Sequence, residues 1–470
     1  MRPVHTCPAG VDVSRYVAHV AEGELDKAFF CHMENNPFPA SCARVCPAFC
    51  ETKCERGKLD EPVSIREIKR IFADYALEKG LSFEPATKLK KEKIAIVGGG
   101  PAGLSAAFYL TRLGYRPTLF EASEALGGMM MYGIPPYRLP RRILEAEIER
   151  VIKAGVEIRL RTPVKSLEAL KQNGFDAIFL SIGANESQRL GVKGEDLEGI
   201  FGGVEFLKGV AEGKRWDLRG KEVLVVGGGS TAMDVARVAL RFGAKSVRVA
   251  YRRTEEEMPA QKIEVKEAEE EGVEFLFLTN PIGFSKNGRI EVRFVKMGLR
   301  GLDSMGRRRP YPIEGSDFSI PFDYVFLSIG QRPRTAGFEK ELDLRKDGTV
   351  EVDQETLMSS KEGVFAGGDC VLGPATVVEA VSQGRQAALS IDRSLGYSGE
   401  LPFPERQEVR TTYNEEEFLK ETKRLVPRIK GVKDRVCPLF EEVSEGLEYD
   451  SCLFEAKRCL HCDRGKKIEK

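Results

Sequence analysis

With 470 residues, 42% of them hydrophobic, the chain is long enough for several buried cores and is excluded from the small disulfide-stapled scaffolds. Lys plus Arg equals Asp plus Glu at 72 each, so no global basic field recruits nucleic acid or an anionic membrane, and partners must be recognised locally. The opening MRPVHTCPAG lacks a signal-peptide apolar stretch and no membrane-length apolar run follows; the expectation is a cytoplasmic protein, where eleven cysteines argue for metal ligation over disulfides.

In chain order, the head comes first. Cys7, Cys31, Cys42, Cys46, Cys50 and Cys54 all fall within it, the last four at every fourth position of SCARVCPAFCETKC, with a proline after the second. His5, His19 and His32 have no ligand-like spacing and read as surface or packing residues. Residues 82–92, SFEPATKLKKE, are polar and unpatterned and predict a linker that closes a helical head over residues 1–90.

Residues 93–122, KIAIVGGGPAGLSAAFYLTRLGYRPTLFEA, predict a strand, a Gly98-x-Gly100-x-x-Gly103 turn with Pro101 and Ala102 opening a helix, and a second strand ending at Glu121. Gly98 permits the tight turn, Gly100 lets backbone approach a pyrophosphate, Gly103 allows close helix packing, and the helix N-terminus stabilises phosphate charge. Glu121 is placed to accept from ribose hydroxyls. A bare glycine motif recurs in any α/β protein; the ordered strand, helix, strand and acid make a dinucleotide site the stronger reading.

Residues 221–253 repeat the unit with Gly227-x-Gly229-x-x-Ala232, Ser230 and Thr231 lying between, but the second strand ends in Tyr251, Arg252 and Arg253. A guanidinium pair there suits the 2′-phosphate of NADP, where an acid suits the NAD ribose. The alternative is a solvated edge balanced by Glu255, Glu256 and Glu257.

Further on, KEGVFAGGDC carries Gly368 and Asp369, and PATVVEAVSQGRQAALSI predicts a helix starting after Thr376. This pair resembles the C-terminal signature of two-dinucleotide-domain flavoproteins of the glutathione and thioredoxin reductase type, which implies that Asp369 binds the ribityl chain of FAD and that the helix start faces the flavin. DAIFLSIGA (176–184, with Gly183) and DYVFLSIGQRP (323–333, with Gly330) resemble the paired connecting strands of that family. The expected class is therefore α/β: two Rossmann-like domains preceded by a small all-α iron-sulfur domain. The FAD domain takes 91–205 plus 325–395, the NAD(P) domain 206–324, and a C-terminal extension 396–470. The middle holds no C-x-x-C or C-x4-C, and Cys370 reads as a small buried apolar residue.

The segments TCPAGVDVSRYV, NNPFPASCARVCPAFCETKCERG, EPVSIREIKRIFAD and GGMMMYGIPPYRLP, the last holding Gly128 and Arg138, resemble the glutamate synthase small-subunit family, which includes the N-terminal half of dihydropyrimidine dehydrogenase and the large subunit of NADH-dependent ferredoxin:NADP oxidoreductase. The resemblance spans about residues 5–395 and implies FAD, NADP(H) or NAD(H), and [4Fe-4S] clusters, one or two here. It gives one cluster Cys7, Cys46, Cys50 and a non-cysteine fourth ligand at the position of Lys69, a poor ligand while protonated; Cys42 or Cys31 are substitutes, and absence of that cluster is the other alternative. It gives the second cluster Cys54 with a C-x-x-C and one more cysteine that in relatives precede the CP segment. Here RCLHC in the tail has the same form, so the tail is expected to fold back, Cys54, Cys452, Cys459 and Cys462 completing the site with Cys437 behind; an independent zinc site with His461 is the alternative.

The implied protein is an FAD-dependent NAD(P)H oxidoreductase that moves electrons between NAD(P)H and a partner subunit, with no side chain assigned as general acid or base. Two competing expectations are a self-sufficient NAD(P)H:ferredoxin oxidoreductase and a cluster-bearing assembly module with vestigial nucleotide sites.

Overall fold

The computed structural model describes residues 6–303, 305–403, 421–436 and 440–462; His5 and Cys437 lie outside them. The head is helical: α1 (Val13–Ala21), α2 (Leu25–Met33), α3 (Pro39–Val45), α4 (Phe49–Thr52) and α5 (Ile65–Glu78). Asp12 caps α1 by accepting the Arg15 N–H at 3.1 Å. Between α3 and α4 the backbone is extended at Cys46, lacks an N–H at Pro47 and is left-handed at Ala48, so the fourfold cysteine spacing is not one continuous helical face.

The body begins with β1 (Ile94–Val97), α6 (Pro101–Arg112), β2 (Thr118–Phe120), α7 (Met129–Tyr132), α8 (Arg141–Lys153), β3 (Glu157–Arg159), α9 (Leu167–Gln172) and β4 (Ala177–Leu180). It continues through β5 (Glu186–Ser187), β6 (Ile200–Gly202), α10 (Gly203–Ala211), β7 (Glu222–Val226), α11 (Ser230–Arg241), β8 (Ser246–Tyr251), α12 (Lys262–Glu270) and β9 (Val273–Phe277). Then come β10 (Thr279–Asn287), β11 (Arg289–Leu302), β12 (Arg308–Pro312), β13 (Phe318–Phe322), β14 (Tyr324–Leu327), β15 (Gln331–Arg332), β16 (Val364–Ala366), α13 (Asp369–Leu372) and α14 (Val377–Ser394).

Two parallel five-stranded sheets result, ordered β16-β4-β1-β2-β3 and β6-β14-β7-β8-β9, with β10 to β13 forming an antiparallel sheet beside the second. Strands β1 and β4 are buried along their whole length, as parallel strands covered on both faces must be. The expected divisions at 205 and 325 need correction: β6 and β14 both pair in the second sheet, β14 lying between β6 and β7. The segments expected to be a connecting pair also separate, β4 to the first sheet and β14 to the second, while β5 and β15 pair antiparallel to link them. Side chains at 325–327 are apolar and buried, so they satisfy a central strand better than an edge connection.

The head shares its core with the first sheet: Phe29, Phe38 and Phe72 are continuous with Phe108, Phe179 and Val381. One body residue fixes the docking, because buried Glu147 of α8 accepts the Ala40 and Ser41 N–H groups at 2.7 and 2.8 Å and so caps α3. No helix among the described residues is long and apolar enough to cross a membrane.

Candidate functional site

The first glycine turn is built by exclusion. Gly98 has φ +104°, a Cβ there would stand 2.4 Å from the Ser181 carbonyl oxygen, and one on Gly103 would stand 2.0 Å from the Gly98 oxygen. Only glycine lets β1, the turn and α6 close to this distance. Gly100 and Gly128 face each other as bare backbone, a Gly128 Cβ lying 2.7 Å from Gly100 Cα. Pro101 and Ala102 form the first turn of α6, and Glu121 accepts the Gly99 and Ser123 N–H groups at 2.7 Å each. Gly368 packs against this helix start, its own Cβ position 2.9 Å from Ala102 Cβ.

At the second turn a Gly227 Cβ would stand 2.1 Å from the Ser328 oxygen, and Ala232, buried, replaces the third glycine. Gly229, Ser230 and Thr231 open α11. The two arginines after β8 part company. Both border the cleft, but Arg252 is exposed there, whereas Arg253 is buried, paired with Asp303 at 2.9 Å and donating to the Arg308 carbonyl at 2.7 Å. Arg307, unremarked in the sequence, lines the same cleft; its only signal was the run GRRRP, far along the chain.

A single cleft of about 1060 Å³ unites these parts: Gly229 and Arg252, then Gly330, then Asp369 and Thr376, and finally Val45 and Pro47, which flank Cys46. Burial pushes the Asp369 carboxyl up to about 7, partly opposed by the Ala375 N–H. Thr376 caps α14 reciprocally with Glu379. Gly183 has open space where a side chain would stand. Arg138 also lines the cleft, and it clasps the second sheet's helices through Asp234 at 2.6 Å and through Glu264, while the Tyr137 hydroxyl donates to Asp234 at 3.0 Å.

Beyond the cleft lie the head thiols. The thiols of Cys7, Cys42, Cys46 and Cys50 all act on the charge of buried Lys69, and those of Cys50, Cys7 and Cys46, with Glu51, act on the buried Tyr16 hydroxyl. Cys42 accepts from Asn36 Nδ2 at 3.3 Å, Cys46 from the Ala48 N–H at 3.4 Å, and Cys7 from the N–H groups of Val11 and Ala9. N–H donors aimed at sulfur are what thiolates on an iron-sulfur cluster require. Cys31 is turned elsewhere, accepting from Arg15 Nε at 2.9 Å. His32 hydrogen-bonds the Asn36 carbonyl at 3.1 Å and His19 pairs with Glu24 at 2.8 Å.

The tail does return to the head. Helix Tyr449–Lys457 packs on α1 and α5, Ser14 Oγ lies 3.2 Å from His461 Nδ1, and fully buried Glu455 accepts the Ser64 N–H at 2.8 Å. Cys54, Cys459, Cys462 and His461 line one small cavity of about 20 Å³. Burial raises the Cys54 thiol pKa, while the N–H groups of Val63, Arg56 and Gly57 favour its thiolate. Cys452 is not brought into that cavity: its Sγ is directed at the carbonyl oxygens of Glu67 and Leu447, at 3.9 and 4.0 Å. Its helix carries it to the α5 side, whereas Cys459 and Cys462 follow the helix end. Among the described residues no three Cys, His, Asp or Glu side chains close on a single ion. A cubane differs in spacing its thiolates across its own width.

Residues 92–384 match the family described as "Pyridine nucleotide-disulphide oxidoreductase", and residues 2–81 that described as "Dihydroprymidine dehydrogenase domain II, 4Fe-4S cluster". The chain is 40% identical to the NADP(+)-dependent formate dehydrogenase subunit beta of Moorella thermoacetica, over 97% of this chain and 70% of that one. It is 35% identical to the glutamate synthase [NADPH] small chain of Escherichia coli, over 81% of this chain and 86% of that one, as the resemblance in the sequence implied. Among solved structures it is similar to Mycobacterium tuberculosis FprA in complex with NADPH, with a TM-score of 0.57 at 19% identity over 65% of this chain and 85% of that one, a likeness of fold.

Proposed function

The chain belongs to the pyridine nucleotide-disulphide oxidoreductase family, in a form carrying an amino-terminal 4Fe-4S segment, and on that premise we propose that it is the electron-transfer subunit of a larger complex. It moves electrons between NAD(P)H and a partner protein by way of FAD and [4Fe-4S] clusters. The observation that carries this reading is the shared cleft, in which the second glycine turn, Asp369 and the residues flanking Cys46 border one space. The flavin, when bound, exchanges an electron pair with the nicotinamide and single electrons with the clusters.

The residues divide that work. Gly98, Gly100, Gly103 and Gly128 supply bare backbone for a pyrophosphate at the start of α6, and Glu121 stands at the same turn for the ribose. Asp369 and the Thr376 helix start hold the ribityl and flavin side, Gly330 borders the same cleft, and Gly183 leaves open space at its own turn. Gly227, Gly229, Ser230, Thr231 and Ala232 take the nicotinamide dinucleotide, and Arg252 takes the 2′-phosphate that makes NADPH the preferred donor. Cys7, Cys46 and Cys50 hold one cluster, while Cys54, Cys459 and Cys462 contribute to a second from both ends of the chain. One relative is a formate dehydrogenase beta subunit and another a glutamate synthase small chain, which supports a partner protein setting the terminal substrate.

Anaerobic titration of the FAD-loaded chain with NADPH tests the reading. The flavin absorbance bleaches, reduced-cluster EPR signals follow, and NADH is the poorer donor. Failure of both nucleotides to bleach the flavin sinks the proposal and leaves the vestigial-site alternative. Good turnover of the isolated chain with soluble ferredoxin would make ferredoxin its carrier in place of a fixed subunit.

A further inference from the structure

Lys69 is 7% exposed and sits on the buried face of α5 with Ile65, Ile68 and Phe72. Burying an ammonium costs several kcal/mol unless an anion accompanies it. The thiols of Cys46, Cys42, Cys50 and Cys7 act on its charge, it acts in turn on the His32 ring, and both α2 and α3 pack against α5. The nearby carboxylates are engaged otherwise: Glu67 with Arg66, Glu51 with Arg424 and the Arg66 N–H, and Glu147 with the α3 N-terminus. Four neutral thiols offer a buried cation little. A cluster on four thiolates offers net negative charge in both of its redox states, which is the counter-charge this position needs.

We infer that Cys42 supplies the fourth thiolate beside Cys7, Cys46 and Cys50, and that Lys69 is a buried counter-charge that raises the reduction potential of the cluster they hold. This rests on the proposed function and deepens it. Geometry favours Cys42 over Cys31. Cys42 lies within α3 and Cys46 is the extended residue that ends it, its N–H donating to the Cys42 carbonyl at 3.2 Å, and both thiols receive N–H donors. Cys31 instead takes the Arg15 guanidinium, which is itself paired with Glu34 at 2.6 Å. Gaining an electron makes the cluster more negative, so a fixed cation beside it stabilises the reduced form more than the oxidised one. Lys69 is thus a positioning and tuning residue and leaves iron ligation to the thiols.

The test uses the full chain purified anaerobically, with iron and acid-labile sulfide counted per chain, EPR, and potentiometric titration. Cys46→Ser first identifies which signal belongs to this cluster; absence of any Cys46-dependent signal would overturn the proposed function itself. Lys69→Met is expected to keep iron, sulfide and FAD at the wild-type level while shifting that midpoint to more negative potential, with Lys69→Arg restoring it. Cys42→Ser is expected to convert the four-iron signal into an oxidised three-iron one, and Cys31→Ser to change neither. An unchanged midpoint in Lys69→Met, or loss of the cluster there with four irons retained in Cys42→Ser, overturns the inference. If Met is not accommodated, Lys69→Gln supplies the same readout at similar volume.

Discussion

Removing Glu455 should detach the tail from the head. Its carboxylate is 0% exposed and accepts three hydrogen bonds, from the Ser64 N–H at 2.8 Å, the Leu425 N–H at 2.8 Å and Arg458 Nη1 at 2.6 Å. Arg458 is also buried and continues to Asp60 at 3.0 Å, which Arg56 holds in turn at 2.6 Å. Deleting one member of such a network leaves a buried charge short of its partner, at a cost of about 3–5 kcal/mol. Because the lost bonds tie 449–462 to Ser64 of 56–64, to Leu425 and to its own Arg458, and not to the two sheets, the cost falls on local opening. Glu455→Ala should therefore accelerate amide exchange in those two segments about a hundredfold or more, each 1.4 kcal/mol being a factor of ten. The sheet strands should stay protected, and the EPR signal that depends on Cys54 and Cys459 should become labile. Exchange in the tail helix within about threefold of wild type would refute the argument.

Other outcomes follow from single residues. Arg252→Ala should raise KM for NADPH about tenfold or more, from loss of one charge-assisted hydrogen bond, and leave KM for NADH nearly unchanged; equal effects on both would assign Arg252 no phosphate role. Gly103→Val should give a chain with far less than one FAD each, read from the flavin absorbance, since even a Cβ there meets the Gly98 oxygen at 2.0 Å. In the apoprotein, Asp369 carries a pKa of about 7 against 3.8 when unfolded, so the folded state binds more protons between those values. Stability should accordingly fall as pH rises through that window, by up to about 1.4 kcal/mol per unit, and Asp369→Asn should flatten the profile; a wild-type profile parallel to the variant's would contradict the assignment.

The glycine turns were readable because each is encoded within about thirty residues, with the reason for every glycine local to a strand and the helix after it. Strand pairing is not local. Nothing in DYVFLSIGQRP announces that it lies between Glu222–Val226 and Ile200–Gly202, so the boundaries drawn there were wrong by one strand on each side. The same limit separated Arg252 from Arg253, since Asp303, which captures the second, lies fifty residues away. The tail's return was legible in RCLHC, but the exclusion of Cys452 was not, because it depends on which side of a nine-residue helix meets α5. Lys69 could be located from the spacing of its segment; that four thiols act on its charge needed three-dimensional neighbours.

The joining of Ser14 to His461 and of Ser64 to Glu455 sets an order on biosynthesis. The head emerges before the tail, so the cluster proposed at Cys54 waits for Cys459 and Cys462. At about 5–20 residues per second, roughly 20–80 s separate the two events. On the proposed function, metal delivery to this site therefore follows synthesis of the tail and does not accompany that of the head. A ribosome that stops before the tail would leave a chain without two of the thiols proposed for that site.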